Sequence, residues 1–128
     1  MGLLLGIDLA EVKRVAAVLD RWGERFLMRI FEPGELNRRR RHARAFAEHV
    51  AGRFAAKEAI VKAMGTGFAH GVWIRDVGVV QNAWGKPEVV YSERGERVRR
   101  GLGVGDGHVT LTDEAGLVVA VAVLLKAT

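Results

Sequence analysis

The segment from about Ala43 to Met64 constrains the fold of this chain more than any other. At about 100° per residue its large apolar side chains share one helical face: Phe46, Val50, Phe54, Val61 and Met64. Gly65 follows as a stop signal, so a long helix is predicted. Arg53 and Lys57 fall inside the apolar arc and Glu58 lies at its margin. Either the stems of the two cations pass beside the core, or this helix face lines a polar site.

The N-terminal segment predicts a strand followed by a helix. Residues 3–7 read as a short buried strand that Asp8 ends. A helix is expected from Leu9 to about Trp22, with Gly23 as its stop. Asp8 is a good N-cap for this helix, and Glu11 three residues later gives a variant of the capping box. A role for Asp8 as a metal ligand stays open, since a capping carboxylate keeps free lone pairs.

Two further helical segments are predicted before the long helix. Glu24 to Ile30 has the character of one or two helical turns. Pro33 suits the first turn of a polar helix that runs through Glu35 to about Arg41.

The second half of the chain changes character and predicts antiparallel hairpins. The expected strands are residues 72–74, 77–80, 88–91, 109–112 and 117–125. Turns are predicted at Asn82 to Lys86 and at Asp113 to Gly116. A short basic helix, Glu93 to Leu102, and a glycine-rich loop, Gly101 to Gly107, lie between the hairpins. Because helices and antiparallel strands segregate along the chain, the predicted fold class is α+β.

Length and composition narrow the function classes. The chain has 128 residues, of which 49% are apolar, so we expect one domain over residues 1–128 with a real core. It contains no cysteine, which excludes disulfides, thiolate metal sites and cysteine nucleophiles. No apolar run is long enough to span a bilayer, and the N-terminus lacks the basic start of a signal peptide. A cytoplasmic protein without a membrane partner is therefore expected.

The chain is basic, with a formal net charge of +5 at pH 7. The charge is compatible with a solvated surface or with an anionic partner, namely nucleic acid, a nucleotide cofactor or an acidic protein. The first helix and its extension carry Arg14, Arg21, Arg25 and Arg29. This series reads as a solvated polar face, or as a docking surface for an acidic helix or for phosphates. The denser run Arg38 to Arg41 spreads around a helix, which favours solvation or a nucleic-acid-like patch.

Several short motifs have both a structural and a functional interpretation. Gly65-Thr66-Gly67 reads as a helix end and turn, or as backbone that approaches a ligand closely. Trp84-Gly85-Lys86-Pro87 reads as an ordinary turn, or as a rigid mount for Lys86 as a phosphate donor. Glu58 and Lys62 have the order of a helical ion pair. His108 is a lone histidine, and the four histidines form no zinc signature.

Taken together, these pieces resemble the holo-acyl-carrier-protein synthases, which are small phosphopantetheinyl transferases. The resemblance covers essentially the whole chain in order, and its most specific motif is Arg53-Phe54-Ala55-Ala56-Lys57-Glu58-Ala59 with Gly6-Ile7-Asp8 upstream. The supporting fragments are Glu11-Val12-Lys13-Arg14, Arg25-Phe26, Glu35-Leu36, Lys62-Ala63, Gly65-Thr66-Gly67, Gly85-Lys86-Pro87 and His108-Val109.

The resemblance implies an enzyme that moves the 4′-phosphopantetheine group of coenzyme A to a serine of apo acyl carrier protein, as in fatty acid biosynthesis. Asp8 and Glu58 match the family's Mg²⁺ ligands, which suits a metal that prefers carboxylate and phosphate oxygens. Lys62 matches a lysine near the reacting phosphate. The base that accepts the serine proton is either Glu58 or a water on the metal.

The resemblance also assigns binding surfaces. Residues that match positions near coenzyme A are Arg53, Lys57, Gly65, Thr66, Gly67, Gly85, Lys86, Pro87 and His108. Arg14, Arg21 and Arg25 match the basic surface on which the acidic carrier protein docks. Family members of this length assemble as trimers with active sites between subunits. The fold implied is an antiparallel sheet packed against the long helix.

One departure from the family pattern bears on these expectations. Where the family often has a second histidine after His108, this chain has Asp113. A relative that binds coenzyme A or a carrier with weakened catalysis is therefore one alternative. A basic nucleic-acid-binding module that uses Arg38 to Arg41 is another, although aromatic residues are not interleaved with that run as stacking platforms would require. The transferase is the reading that the full-length resemblance favours, and it has no nucleic-acid partner.

Overall fold

A computed structural model describes residues 2–39 and 41–127 of the chain. The helices are α1 (Val12–Trp22), α2 (Glu24–Ile30), α3 (Ala43–Met64) and α4 (Glu93–Gly101), with a 3-10 turn at Ile74–Asp76. The strands are β1 (Gly2–Glu11), β2 (Val77–Gln81), β3 (Pro87–Tyr91), β4 (Val104–Glu114) and β5 (Leu117–Lys126). In the described ranges no helix combines the length and apolar character needed to cross a membrane.

The strands form two antiparallel sheets, so the α+β prediction is confirmed. The larger sheet has the order β1-β5-β4, and the smaller one pairs β2 with β3. Helix α3 packs on one face of the larger sheet and also contacts α1 and β2. It is therefore buried on most of its circumference, with fully buried alanines from Ala51 to Ala59 and Ile60 in the core. A helix covered on several sides does not need the single apolar stripe that its sequence suggested.

The long helix, the second helix and both hairpins occur where they were predicted. Helix α3 spans Ala43–Met64 and ends at Gly65, whose backbone is left-handed with φ 83°. Glycine adopts this conformation without the steric cost that a Cβ imposes. The last hairpin is longer than expected because β4 begins at Val104, inside the glycine-rich segment.

Three local predictions are wrong. Asp8 does not cap a helix, because β1 continues through Glu11, and Asp8 lies inside the strand opposite Ala120 of β5. Pairing with the long apolar strand β5 outweighs the local capping signal at Asp8.

The other two concern short segments between the helices and strands. Residues 33–41 form turns in place of a helix, with Arg40 outside the described residues; Gly34 has φ 96° and Glu35 turns into the core. Residues 72–74 lead into the 3-10 turn and do not form a strand.

Candidate active site

The position of Asp8 depends on a close approach between β1 and α3. Gly6 faces the helix, and a Cβ at this position would overlap with the carbonyl oxygen of Ala59 and press on the nitrogen of Ala63. Only glycine allows the strand to come this near. Two residues further along the strand, Asp8 points to the same face of the sheet as Gly6. The Gly6-x-Asp8 spacing therefore places a carboxylate beside the C-terminal half of α3.

Asp8, Lys62 and Glu58 form one cluster at this point, which we call the carboxylate cluster. Lys62 Nζ lies 2.9 Å from Asp8 Oδ1 and donates a second hydrogen bond, 3.1 Å long, to the Ile7 carbonyl oxygen. Lys62 therefore turns toward the strand, rather than toward Glu58 as its spacing along the helix suggested. The hydrogen bond to Asp8 raises the pKa of Lys62, so the ammonium group stays charged at neutral pH.

Glu58 lies within electrostatic reach of Asp8. Burial raises the pKa of the Glu58 carboxyl, the charge of Asp8 raises it further, and Lys62 partly opposes both effects. Two carboxylates held together with one partial counter-charge attract a cation. The described residues contain no group of three or more potential metal ligands. Two hard oxygen donors nevertheless fit Mg²⁺, which commonly takes one or two carboxylates and completes its shell with water and substrate phosphate.

Lys57 lies in the core. Its side chain is fully buried, with Nζ 2.6 Å from Glu35 Oε1, and it donates to the carbonyl oxygens of Ile74 and Val77 at 2.9 and 2.7 Å. These partners use all three donors of the ammonium group. Contact between Lys57 and coenzyme A stays a prediction, and it requires this ion pair to open. The sequence placed Lys57 in the apolar arc of the helix, but nothing in it identified Glu35 as the partner.

Arg53 lines a cavity of about 280 Å³ on another side of α3. The residue is 6% exposed, and its Nε has no hydrogen-bond partner. His49, Gln81 and Asp113 line the same cavity. Burial lowers the pKa of His49 to about 4, and the charges of Arg41 and Arg53 act in the same direction. Asp113 therefore faces the Arg53 cavity.

The structure brings Lys86 and His108 together as a second cluster. Lys86 Nζ lies 3.3 Å from His108 Nδ1. Both residues line a cavity of about 660 Å³ between β3 and β4. Pro87 lines the same cavity. Gly85 occupies the turn before Lys86 with φ 79°. We call Lys86 and His108 the basic pair.

The carboxylate cluster and the basic pair are separate within one chain. His108 pairs with Val123 of β5, which pairs with Leu5 of β1. Asp8 is thus two strands away and three residues further along, a backbone separation of ~14 Å at ordinary strand spacings. Because successive residues alternate between the two faces of a sheet, Asp8 and His108 also point to opposite faces.

The segment Gly65 to Gly67 closes the C-terminal end of α3. The backbone N–H groups of all three residues donate to the Val61 carbonyl oxygen at 3.1–3.2 Å. The Thr66 hydroxyl is buried and has no hydrogen-bond partner among the described atoms. Since buried hydroxyls normally have a partner, this one is available to a ligand.

The predicted arginine surface lies on α1 and α2. Arg14 pairs with Glu11 at 3.3 Å, with both side chains largely exposed. The guanidinium groups of Arg21 and Arg25 lie 5.1 and 5.9 Å from the ring centroid of Trp22. A cavity of about 280 Å³ runs beside this aromatic ring, and it is lined by Val18, Trp22, Arg25, Phe26 and Arg29. The arginines were predicted from the sequence but Trp22 was not, although its position on a basic helix face was the available signal.

The Arg38 to Arg41 run is partly neutralised within the chain. Arg38 forms a two-pronged hydrogen bond with the Glu24 carboxylate at 2.9 and 3.0 Å. Arg41 donates to the Asn37 carbonyl oxygen, and Arg40 lies outside the described residues.

Comparison with known proteins places this geometry in a family. The family model described as the 4′-phosphopantetheinyl transferase superfamily matches residues 4–121. A protein from Halothermothrix orenii named holo-[acyl-carrier-protein] synthase is 37% identical over 119 residues, which cover 93% of this chain and 94% of that protein.

Solved structures give the same result. Holo-[acyl-carrier-protein] synthase from Neisseria meningitidis matches with a TM-score of 0.84 at 31% identity, covering 96% of this chain and 98% of that one. A holo-(acyl-carrier-protein) synthase from Bacillus anthracis, solved in complex with CoA (3′,5′-ADP), matches with a TM-score of 0.72 at 31% identity, covering 97% and 96%.

Proposed function

Because the chain belongs to the 4′-phosphopantetheinyl transferase superfamily, and its relatives are enzymes named holo-[acyl-carrier-protein] synthase, we propose that it converts apo acyl carrier protein to the holo form with coenzyme A as donor. The carrier serine oxygen forms a bond to the phosphorus that bears the pantetheine arm. The bond from that phosphorus to the bridging oxygen breaks, and adenosine 3′,5′-bisphosphate leaves. The observation that carries this proposal is the carboxylate cluster.

The carboxylate cluster supports a metal-dependent phosphoryl transfer. Asp8 and Glu58 would hold Mg²⁺, which when bound neutralises phosphate charge. Lys62 keeps its charge and is half exposed, so it can orient a phosphate oxygen and stabilise the negative charge of the transition state. Two groups are candidates for the base that takes up the serine proton. They are the Glu58 carboxylate and a water molecule.

The binding of coenzyme A is proposed to involve the C-terminal end of α3 and the basic pair. Gly65 to Gly67 would contact it at the end of α3, with the Thr66 hydroxyl as a donor. Lys86, which lies between Gly85 and Pro87 in the turn, and His108 would hold phosphate at the other end of the coenzyme A molecule. Arg53 would contribute positive charge from its cavity, and Lys57 would support the site from the core. The complex of the Bacillus anthracis relative with CoA (3′,5′-ADP) supports the proposal that this chain binds coenzyme A.

A homotrimer would bring the separated clusters together. The face of the β1-β5-β4 sheet that points away from α3 exposes Leu3, Leu5, Ile7 and Leu9, each by 56–68%. Monomeric proteins rarely expose a contiguous apolar surface of this kind. His108 points to this same face, so a neighbouring chain packed here can meet it. Light scattering on the wild type and on Leu5→Glu tests the assembly, and the variant is expected to dissociate.

The acidic carrier protein is proposed to dock on α1 and α2. Arg14, Arg21 and Arg25 are exposed, and the apolar ring of Trp22 lies between two of them. Charge complementarity of this type mainly raises the association rate and weakens as salt increases. A cytoplasmic location stays a prediction.

The test is a transfer assay read by intact mass. The protein is mixed with coenzyme A, Mg²⁺ and apo acyl carrier protein, and a parallel reaction contains EDTA. We expect the carrier to gain one phosphopantetheine group only when EDTA is absent. No gain with several carriers, from a protein shown to be folded, would refute the proposal. Full transfer in EDTA would refute the metal assignment alone.

A further inference from the structure

Two carboxylates are candidate partners for Lys62, and the lysine pairs with the one on another element. Glu58 lies one helical turn earlier on α3, at the spacing that favours an ion pair along a helix. Lys62 instead crosses to β1, where its Nζ lies 2.9 Å from Asp8 Oδ1 and 3.1 Å from the Ile7 carbonyl oxygen. Because both acceptors belong to β1, Lys62 is a polar link between the helix and the strand.

The two side chains of this ion pair differ in their exposure to solvent. The Asp8 side chain is 17% exposed, whereas the Lys62 side chain is 50% exposed. The carboxylate is thus largely covered, and the lysine is the more open member of the pair. A second cation that approaches Asp8 from solvent therefore meets the positive charge of Lys62 beside the same carboxylate.

Lys62 and a metal ion have the same electrostatic effect on the carboxylate cluster. Asp8 and Glu58 repel each other when both are charged, and a cation between them offsets that repulsion. Lys62 supplies such a charge from within the chain. Two cations at one carboxylate repel each other in turn, since Coulomb energy falls only inversely with distance. The lysine and a divalent cation therefore compete for Asp8.

The lysine is able to leave Asp8 without disturbing the fold. An ion pair with a half-exposed member is weak, and the four-carbon stem of lysine rotates easily. The contact between β1 and α3 is held independently, by the close packing of Gly6 against the backbone of Ala59 and Ala63. Movement of Nζ from Asp8 to a nearby phosphate oxygen thus requires only side-chain rotation.

We propose that Lys62 and Mg²⁺ compete for Asp8, so that metal binding releases Lys62 from β1 and the released ammonium group binds the donor phosphate. This inference rests on the proposed function, because it takes the metal and the donor from it. Lys62 then has two successive partners. It orients Asp8 before the metal binds, and it contacts phosphate afterwards. The exchange couples the binding of the metal to that of the donor.

The test measures the Kd of Mg²⁺ by calorimetry, with and without adenosine 3′,5′-bisphosphate, for the wild type and for Lys62→Met. Without the bisphosphate, Lys62→Met is expected to bind Mg²⁺ about fivefold more tightly, which equals ~1 kcal/mol and is the upper end for an exposed pair. With the bisphosphate, Lys62 of the wild type has already left Asp8, and the two proteins are expected to have the same Kd. The bisphosphate therefore promotes metal binding about fivefold less in the variant, and linkage requires the reciprocal loss in bisphosphate binding.

The matched control is Lys126→Met. Lys126 is exposed and lies opposite Gly2 at the other end of β1. It is six residues along the strand from Asp8, or ~20 Å. Its substitution removes the same charge from the chain without touching the ion pair. The Kd of Mg²⁺ for this variant is expected to equal that of the wild type, with and without the bisphosphate.

Chemical labelling of the wild type gives a second readout that does not depend on a variant. The protein is treated with an acetylating reagent, and the extent of acetylation at Lys62 is read by mass spectrometry with Lys126 as the internal reference. Mg²⁺ is expected to increase acetylation of Lys62, because the ion pair with Asp8 no longer shields the amine. Addition of adenosine 3′,5′-bisphosphate together with Mg²⁺ is expected to decrease it again.

Three results would overturn the inference. One is a Kd of Mg²⁺ that is unchanged or weaker in Lys62→Met. Another is equal tightening with and without the bisphosphate, which would make Lys62 only a nearby charge. The third is acetylation of Lys62 that Mg²⁺ does not change. If the wild type binds Mg²⁺ and transfers phosphopantetheine while any of these results is obtained, only this inference fails. If the wild type neither binds Mg²⁺ in the presence of the bisphosphate nor transfers, the proposed function fails as well.

Discussion

Replacing Lys57 by methionine should be among the most destabilising single changes in this chain. The substitution keeps the apolar stem but removes the Nζ that lies 2.6 Å from Glu35 Oε1 and bonds two carbonyl oxygens. Glu35 is itself buried at 5% exposure. Its carboxylate would lose its counter-charge, and the carbonyl oxygens of Ile74 and Val77 would lose their donor. Breaking one side of a buried ion pair costs ~3–5 kcal/mol.

This loss is a large fraction of the stability of a small domain, which is usually ~5–15 kcal/mol. Urea unfolding followed by circular dichroism should therefore show a clear fall in the transition midpoint with little change in slope. Lys62→Met is the matched control, because it is the same substitution five residues later on α3 at a half-exposed side chain. The control is expected to lose less than ~1 kcal/mol. Glu35→Leu/Lys57→Met should recover part of the loss, since it removes both charges.

The pH dependence gives a sharper test of the same mechanism. Burial raises the pKa of Glu35, and the charge of Lys57 partly offsets this effect. Without Lys57 the pKa of Glu35 should rise further. A carboxyl whose pKa is higher in the folded state favours folding at low pH, and its contribution is lost as pH rises through the folded value. The penalty of Lys57→Met should thus be smaller at pH 5 than at pH 7.5. A penalty below ~1 kcal/mol, or one independent of pH, would refute the reasoning.

Four further outcomes are expected. Glu58→Gln should abolish phosphopantetheine transfer while circular dichroism shows an intact fold; normal turnover would sink the metal assignment. Arg14→Glu should raise the KM for the carrier far more than the Kd for coenzyme A, and equal losses would contradict separate surfaces. Because the pKa of His49 is lowered to about 4, the free energy of unfolding should fall as pH drops from ~6.5, and His49→Gln should flatten that fall in urea titrations. Gly6→Ala should lower the melting temperature and the transfer rate together, since its methyl group would push β1 from α3; an unchanged melting temperature would show that the strand can shift freely.

Much of the local structure could be predicted from the sequence. Helix α3 begins and ends where its periodicity and Gly65 placed it, and both hairpins have their turns within the predicted segments Asn82 to Lys86 and Asp113 to Gly116. These features depend on neighbours within a few residues, so the relevant energies are present in any short window of the chain. The motif around Glu58 likewise identifies the family, because it is read from contiguous residues.

Contacts between distant residues were decided only by the tertiary structure. Asp8 has the local signature of a helix cap, yet pairing with β5 holds it in a strand, since a full row of ladder hydrogen bonds outweighs one cap. Lys57 needed a buried counter-charge, but only the packing of a turn that had been predicted as helix shows that Glu35 supplies it. The separation of the carboxylate cluster from the basic pair follows from strand order and from the alternation of sheet faces. Strand order depends on which distant segments bury each other's apolar surface, and a single sequence window does not contain that information.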